Sequence, residues 1–235
     1  MYIYGKNVLK EKLNSNERID RVYLSDKFND RDIINKLKDK HIKYSFVPNS
    51  SLDRKVNGLH QGVVIEINEV ETYTLDDLVN NIDKEYPLIV VLDHLEDPHN
   101  FGAIIRTCEA LGVDGIVIPN DRSVGINATV VKTSAGAISH IKIAKVSNIY
   151  ATINKLKGLG YWIVSTDMEG TNYSEIDYKV PICLVIGNEG KGVSKIVKDN
   201  ADYIATIPMS GKVNSLNASV SAGIIIAEIV LQRTK

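Results

Sequence analysis

Two polar segments in the last quarter of the chain combine the residue types from which binding loops are built. They are residues 188–192 (NEGKG) and residues 207–219 (IPMSGKVNSLNAS), and each follows a short apolar stretch. Glycine is used where the backbone turns with positive φ or lies close to a ligand. Asparagine, serine and glutamate side chains direct hydrogen bonds at polar groups. We therefore expect the two loops to form one site together.

A third polar segment, residues 93–107 (DHLEDPHNFGAIIRT), follows an apolar stretch earlier in the chain. Pro98 and Asn100 predict the start of a helix, with Asn100 as its N-cap. Arg106 would lie about one helical turn beyond Gly102. Asn100 is thus either a plain cap or a site residue. Arg106 is either a catalytic cation or a surface residue paired with Glu109.

The common phosphate-binding motifs and zinc spacings are missing from these segments. Residues 187–194 (GNEGKGVS) have glycines spaced as in a P-loop but lack its Gly-Lys-Ser/Thr ending, and Glu189 would repel phosphate. No dinucleotide-binding fingerprint follows the apolar residues 88–92. The histidines and aspartates of residues 93–99 share one loop without a typical zinc spacing. We expect neither a metal site nor an ordinary nucleotide-utilising α/β enzyme.

Residues 1–70 alternate between helical and extended patterns, which predicts a small α/β domain. Residues 71–87 are acidic, end at Pro87 and read as a linker with a short helix at 75–81. The strands expected in the first domain are 21–24, 43–47 and 62–67, and the helices are 7–13, 33–37 and a short piece near Leu52.

Residues 88–235 repeat the alternation with more apolar strands and predict a second α/β domain. The run 88–92 (LIVVL) is typical of a parallel strand that is covered on both faces. The last helix would carry Leu216, Val220, Ile224, Ala227 and Leu231 on one apolar face. The other strands expected are 115–118, 140–144, 161–164, 182–186 and 203–207, and the helices are 103–111, 128–137, 150–159 and 216–231.

The composition of the 235 residues is that of an ordinary globular protein, with 44% hydrophobic residues and a net charge of −1. No apolar run approaches the roughly 18 residues of a membrane span, and no signal-peptide pattern is present, so we expect a cytoplasmic protein. Residues 1–70 have a net charge of +3 and residues 71–235 one of −4. This asymmetry is either chance or a sign that the first domain binds an anion.

Residues 93–106, 184–192 and 207–219 resemble the three sequence motifs of the SpoU-type RNA ribose 2′-O-methyltransferases, which belong to the SPOUT class. Residues 4–8 and 60–64 resemble the N-terminal substrate-binding domain of that family, which is similar to ribosomal L30e-type proteins. The resemblance covers nearly the whole chain. It implies an L30e-like domain followed by a SPOUT domain with a deep trefoil knot, although chain connections rarely thread through loops.

The resemblance also implies a methyl donor, S-adenosyl-L-methionine, and a role for each motif residue. Arg106 would either help to deprotonate the ribose hydroxyl or stay charged and stabilise the forming alkoxide. The expected catalytic and positioning residues are Asn100, Arg106, Glu189, Ser215 and Asn217. The expected donor-binding residues are Asp167, Gly187, Ile207, Leu216 and Ala218.

The implied partner is RNA, and the branch that this chain resembles most methylates a guanosine ribose in 23S ribosomal RNA. A transfer-RNA ribose methyltransferase and a non-catalytic ribosome-assembly factor remain alternatives. The resemblance further implies a homodimer, with the helix that carries Arg106 near the interface. The knot would be formed by the region of Asp167 and by residues 188–193 and 209–214.

Overall fold

A computed structural model of the chain describes residues 1–15, 19–67, 70–212 and 215–234. The first 67 residues form a four-stranded sheet of strand order β1-β4-β2-β3, in which β2 pairs parallel with β3 and antiparallel with β4. Val22 and Leu24 of this sheet are buried with Val63 and Ile65. The elements are β1 (Tyr2–Tyr4), α1 (Lys6–Ser15), β2 (Arg21–Ser25), α2 (Arg31–Asp39), β3 (Tyr44–Val47), α3 (Asn49–Asp53) and β4 (Val63–Glu66).

The rest of the chain forms a six-stranded sheet of order β10-β8-β9-β5-β6-β7, in which neighbouring strands are parallel. The predicted α/β class with a mainly parallel sheet is therefore confirmed. The strands are β5 (Leu88–Asp93), β6 (Gly115–Pro119), β7 (Ile143–Val146), β8 (Trp162–Asn172), β9 (Ile182–Gly187) and β10 (Tyr203–Thr206). The helices are α4 (Leu75–Val79), α5 (Pro98–Ala110), α6 (Ala128–Thr133), α7 (Ile149–Gly158), α8 (Lys195–Lys198) and α9 (Ala218–Arg233).

The two central strands, β5 and β9, are buried along their whole length. Side chains of β5 alternate between two apolar clusters, with Val90 and Leu92 in one and Ile89 and Val91 in the other. A strand with a core on both faces needs apolar residues at every position, which explains the unbroken apolar run.

The chain leaves β5 and β9 in opposite directions, towards β6 on one side and towards β10 on the other. The last residues of these adjacent strands, Asp93 and Gly187, are register partners. In open parallel sheets such a reversal opens a crevice at the carboxyl ends of the strands, where ligands bind. The polar segments 93–107 and 188–192 begin at this point, and the segment 207–219 follows the edge strand β10.

Several predicted boundaries are wrong for local reasons. Asp97, not Asn100, is the N-cap of α5, because Pro98 takes the first helical position and Asp97 accepts a hydrogen bond from the His99 amide. The helix expected over 128–137 ends at Thr133, since Ala135 and Gly136 both have positive φ. The strand expected at 140–144 is β7, shifted to 143–146, and β1 and α8 were not predicted.

The last helix buries a different face from the predicted one. Its buried residues are Ala222, Ile225, Ile226 and Ile229. Leu216, Val220, Ala227 and Leu231, which the pattern placed together, are all exposed. The helix is apolar nearly all round, so periodicity could not choose the core side. Within the described ranges, every helix is too short or too polar to cross a lipid bilayer.

Candidate functional site

Glu189, in the loop after β9, is a hydrogen-bond acceptor for the segment that starts α5. Its Oε1 accepts from Asn100 Nδ2 at 2.9 Å and from the Asp97 amide at 3.2 Å, and its Oε2 accepts from the Glu96 amide at 3.3 Å. Partial burial alone would raise the pKa of Glu189. The hydrogen bonds from Asn100 and the backbone amides outweigh it and hold the pKa below its ordinary value. Glu189 is therefore a fixed anion at neutral pH.

Asn217, at the start of α9, extends this network. Its Nδ2 donates to Asn100 Oδ1 at 2.8 Å, while its Oδ1 accepts from the Ser219 amide at 2.9 Å and caps the helix. Each amide group thus donates in one direction, from Asn217 to Asn100 and from Asn100 to Glu189. Three segments far apart in sequence are joined through these side chains.

Asn188 holds the loop of residues 188–192 in a closed turn. Its Oδ1 accepts from the Gly190 and Lys191 amides at 2.9 and 3.1 Å, and its Nδ2 donates to the His94 carbonyl at 2.8 Å. The backbone N–H of Gly192 donates to the carbonyl of Asn188 at 2.9 Å. The loop is therefore fixed to itself and to the segment after β5.

Gly187 is the point at which this loop presses on the end of β9. A Cβ atom on Gly187 would lie 2.2 Å from the carbonyl carbon of Gly192 and 2.2 Å from the nitrogen of Val193. Backbone atoms cannot move aside as a flexible side chain can. Only glycine fits here, as expected of a tight approach.

A cavity of about 300 Å³ opens beside this loop, within the size range of small-molecule sites. It collects every predicted donor-binding residue, namely Asp167, Gly187, Ile207, Leu216 and Ala218, together with Glu189 and Ser215. Lining residues that the sequence did not single out include Thr166, Met168, Lys198 and Ser221. Their types are common and their positions follow no motif, so only the fold could identify them.

Asp167 lies within β8, where the pairing of this strand with its neighbours is irregular, and not in a loop between elements. Residues 162–165 of β8 pair with β9, and the register of β8 against β10 then shifts. Asp167 Oδ2 accepts from Lys198 Nζ at 2.6 Å, and this hydrogen bond lowers the pKa of the carboxyl group. The cavity therefore contains a fixed ion pair beside apolar Ile207 and Leu216.

Arg106 is not brought into the cavity by its own chain. It is exposed on α5, roughly 9 Å further along the helix axis than Asn100 and on a different side. Within the described ranges its guanidinium forms no hydrogen bond or ion pair, so the surface pairing with Glu109 is wrong. Helix α5 packs against α9, where Gly223 lies near Thr107, the residue after Arg106.

The described part of the chain contains no group of three or more histidine, cysteine, aspartate or glutamate side chains arranged to hold a metal ion. Cys108 and Cys183 are buried, and burial raises the pKa of both thiols far above neutral. Neither cysteine has the thiolate character that a nucleophile needs.

The sequence was compared with models of known protein families. Residues 87–227 match the model described as the SpoU rRNA Methylase family. The chain belongs to this SpoU family. Residues 2–73 match a second model, described as RNA 2′-O ribose methyltransferase substrate binding.

Individual relatives agree with the SpoU assignment. A TrmH family tRNA/rRNA methyltransferase of Bacillus subtilis, YacO, is 41% identical over 99% of this chain and 96% of its own. The AdoMet-bound rRNA methyltransferase of Sinorhizobium meliloti is 26% identical, with a TM-score of 0.75 over 97% of this chain and 85% of that one. The TrmH/SpoU tRNA modifying enzyme of A. aeolicus is 37% identical, with a TM-score of 0.59 over 64% of this chain and 77% of that one. The donor expected from the motifs, S-adenosylmethionine, is thus bound in a related structure.

Proposed function

We propose that this SpoU-family protein transfers a methyl group from S-adenosyl-L-methionine to a ribose 2′-hydroxyl of RNA, and that the target is a guanosine of 23S ribosomal RNA. The observation that carries the proposal is the directed network from Asn217 through Asn100 to Glu189. Through Glu189 the network reaches the 300 Å³ cavity beside the carboxyl ends of β9 and β10.

The cavity suits the donor by its chemistry. Ile207, Leu216 and Ile225 supply apolar surface for a base, while Ser221 and the Asp167–Lys198 pair supply polar groups. Gly187 and Ala218 expose backbone to the cavity because neither has a large side chain. The bound donor supplies an electrophilic methyl group on a sulfonium, so the remaining task is to activate the hydroxyl.

Hydroxyl activation falls to polar groups at the mouth of the cavity. Glu189 and Ser215 line it, and Asn100 fixes the orientation of the Glu189 carboxylate. We assign to Glu189 the positioning of the acceptor nucleotide, because carboxylate oxygens accept from base or ribose donors. We assign to Arg106 the stabilisation of the forming alkoxide, since arginine stays protonated in proteins, and the hydroxyl proton passes to solvent water.

A homodimer would bring Arg106 into a site that a single chain leaves open. Val220, Ala227 and Leu231 are exposed apolar residues of α9, and α9 packs against α5, the helix that carries Arg106. A self-complementary patch of this kind is what a two-fold dimer requires. We propose that a second copy covers this face.

The deep knot, the L30e-like likeness and the domain limits (1–70, 71–87 and 88–235) are part of the same proposal. The knot is supported by the tight contact of Gly187 with residues 192–193 and by the return of the chain from the edge strand β10 to α9 beside β9. Residues 213–214 of the third proposed knot loop lie outside the described residues. The N-terminal domain is supported by its separate sheet.

We favour ribosomal RNA over transfer RNA as the substrate, because the two kinds of enzyme align with different shares of this chain. The rRNA methyltransferase of S. meliloti aligns with 97% of this chain, and the tRNA modifying enzyme of A. aeolicus with 64%. A non-catalytic assembly factor would have no use for the Asn217–Asn100–Glu189 network. That alternative predicts no affinity for the donor.

The proposal is tested by mapping ribose methylation in 23S ribosomal RNA and in transfer RNA from cells with and without the gene. The expected result is loss of one 2′-O-methylguanosine in 23S ribosomal RNA only. Loss of a ribose methyl group from transfer RNA instead would mean that the substrate is transfer RNA. An unchanged map, together with no donor binding by calorimetry, would overturn the activity.

A further inference from the structure

A second opening, separate from the donor cavity, lies at the carboxyl ends of β5 and β6. It consists of two cavities of about 650 and 280 Å³ that share Asp93, His94, Arg122 and Ser194. We call it the Arg122 cleft. Asn188, Lys191 and Gly192 line both the larger cavity of the cleft and the donor cavity. The closed loop of residues 188–192 is thus the wall between the two.

The cleft contains basic side chains without internal partners. Arg122 is exposed, and within the described ranges its guanidinium forms no ion pair or hydrogen bond. The same holds for the Lys191 ammonium, whose residue is bonded only through its backbone amide. The acidic Asp93 is already engaged, since Oδ2 accepts from the Ser194 amide at 2.7 Å and Oδ1 faces His94 Nδ1. Glu96 adds one carboxylate at the larger cavity and the exposed Asp121 adds one at the smaller.

The walls of the cleft are held in place by backbone contacts. The Val124 amide donates to the Leu95 carbonyl at 2.7 Å, and Ser123 Oγ donates to the Pro119 carbonyl at 3.2 Å. Arg122 lies in the loop from Pro119 to Val124 that these hydrogen bonds hold. Its φ is +54°, a backbone conformation that residues other than glycine adopt only at a cost in free energy. Glycine would adopt this backbone freely, so arginine at this position carries a conformational cost.

The geometry points to the Arg122 cleft as a phosphate site for the RNA strand that flanks the target nucleotide. This inference rests on the proposed function. A ribose held at Glu189 belongs to a strand that must leave the site over a neighbouring loop. The face of α5 and α9 is the one that we assign to a second copy. An RNA strand that leaves on the other side passes over residues 188–192 into the Arg122 cleft. There the side chains of Arg122 and Lys191, unpaired within the described ranges, can bind a backbone phosphate.

The test is binding of unmodified 23S ribosomal RNA, transcribed in vitro, measured without donor over a range of salt concentrations. Arg122→Gly removes the charge and relaxes the backbone. We expect affinity to fall about tenfold, as for one lost charge-assisted hydrogen bond. The slope of log affinity against log salt should fall by about 1. Arg122→Lys should keep most of the slope, and Glu96→Gln should tighten binding.

Two controls separate a charge effect from a folding effect. Lys179→Ala removes an exposed charge before the amino end of β9, whereas the cleft lies at the carboxyl ends of the strands, and it should leave the salt slope unchanged. Arg122→Gly should unfold at the wild-type temperature or above it. Unchanged RNA affinity and salt slope in Arg122→Gly would overturn the inference. A loss of donor affinity in its place would also overturn it, because the cleft would then belong to the donor site.

The outcome is distinguishable from failure of the proposed function. If the wild type transfers no methyl group but Arg122→Gly still lowers the salt slope, the phosphate site stands and the activity does not. If methyl transfer proceeds and Arg122→Gly changes neither RNA affinity nor KM for RNA, only the phosphate site is wrong. A wild type that fails to bind RNA contradicts both.

Discussion

Asn100 Nδ2 donates to Glu189 Oε1 at 2.9 Å, and this bond joins the first turn of α5 to the loop after β9. Asn100 is buried, and its Oδ1 accepts from Asn217 at the same time. One side chain therefore sets the relative position of all three motif segments. Two of these segments, residues 184–192 and 207–219, line the cavity of about 300 Å³ that we assign to the donor.

Asn100→Ala should destabilise the protein by about 1 kcal/mol, because two hydrogen bonds are lost but the exposed side chains of Glu189 and Asn217 can bind water in their place. Asn100→Asp keeps the shape but places a carboxylate against Glu189, so its loss should be larger at pH 7 and should shrink in acid. Urea denaturation at pH 7 and pH 4 measures both. Equal destabilisation of the two variants at both pH values would show that Asn100 acts only by packing.

Glu189→Gln should make the stability of the protein less dependent on pH in the acid range. The pKa of Glu189 is lower in the folded protein than its ordinary value of 4.5. The carboxylate thus stabilises the fold above pH 4.5, and the contribution is lost as the pH falls through the folded pKa. The difference in free energy of unfolding between wild type and variant should shrink over that interval. A difference that grows with acid would contradict the assigned hydrogen bonds. The effect should be modest because Glu189 is exposed in part.

Gly187→Ala should lower donor affinity at least tenfold and reduce stability, since the added methyl group has no room against residues 192–193. Gly190→Ala is the matched control in the same loop. Its Cβ would find only Asn188 Oδ1, at an ordinary 3.6 Å. Calorimetry with S-adenosylmethionine should separate the two variants, and similar affinities would mean that the loop is looser than the structure has it.

Val220→Asp should convert a dimer into monomers, because it places a charge in the apolar α9 face that we assign to the second copy. Leu159→Asp is the control, an equally exposed leucine at the end of α7, and should leave the dimer intact. Light scattering after size exclusion gives the mass directly. If the wild type is already monomeric, or if Val220→Asp remains dimeric, the proposed interface is wrong.

The positions of most strands could be predicted from the sequence, but their order in the sheet could not. All predicted strands but one begin within a residue of their observed start, since apolar runs and turn residues are local signals. The insertion of β9 between β5 and β8 is not a local property, and no periodicity predicts it. The motif loops were found because their residue types are unusual. The Asp167–Lys198 pair and the Arg122 cleft were missed because each arises only when distant segments meet.

The buried side of α9 illustrates the same limit. Val220, Ala227 and Leu231 do lie along one exposed apolar side, but Ile225, Ile226 and Ile229 offer a second one, and Leu216 lies before the helix begins. A helix with two apolar sides cannot be oriented from its own sequence. The exposed side makes sense as a contact surface for another chain.

In the proposed function the protein methylates a ribose hydroxyl of RNA and Arg106 takes part. The most direct measurement is transfer of labelled methyl groups from S-adenosylmethionine to unmodified 23S ribosomal RNA, followed by nucleoside analysis, for wild type and Arg106→Ala. We expect 2′-O-methylguanosine from the wild type and a rate lower by about 10²–10³ in the variant, with unchanged donor affinity and thermal stability. Label on a base, or full activity in Arg106→Ala, would contradict the account.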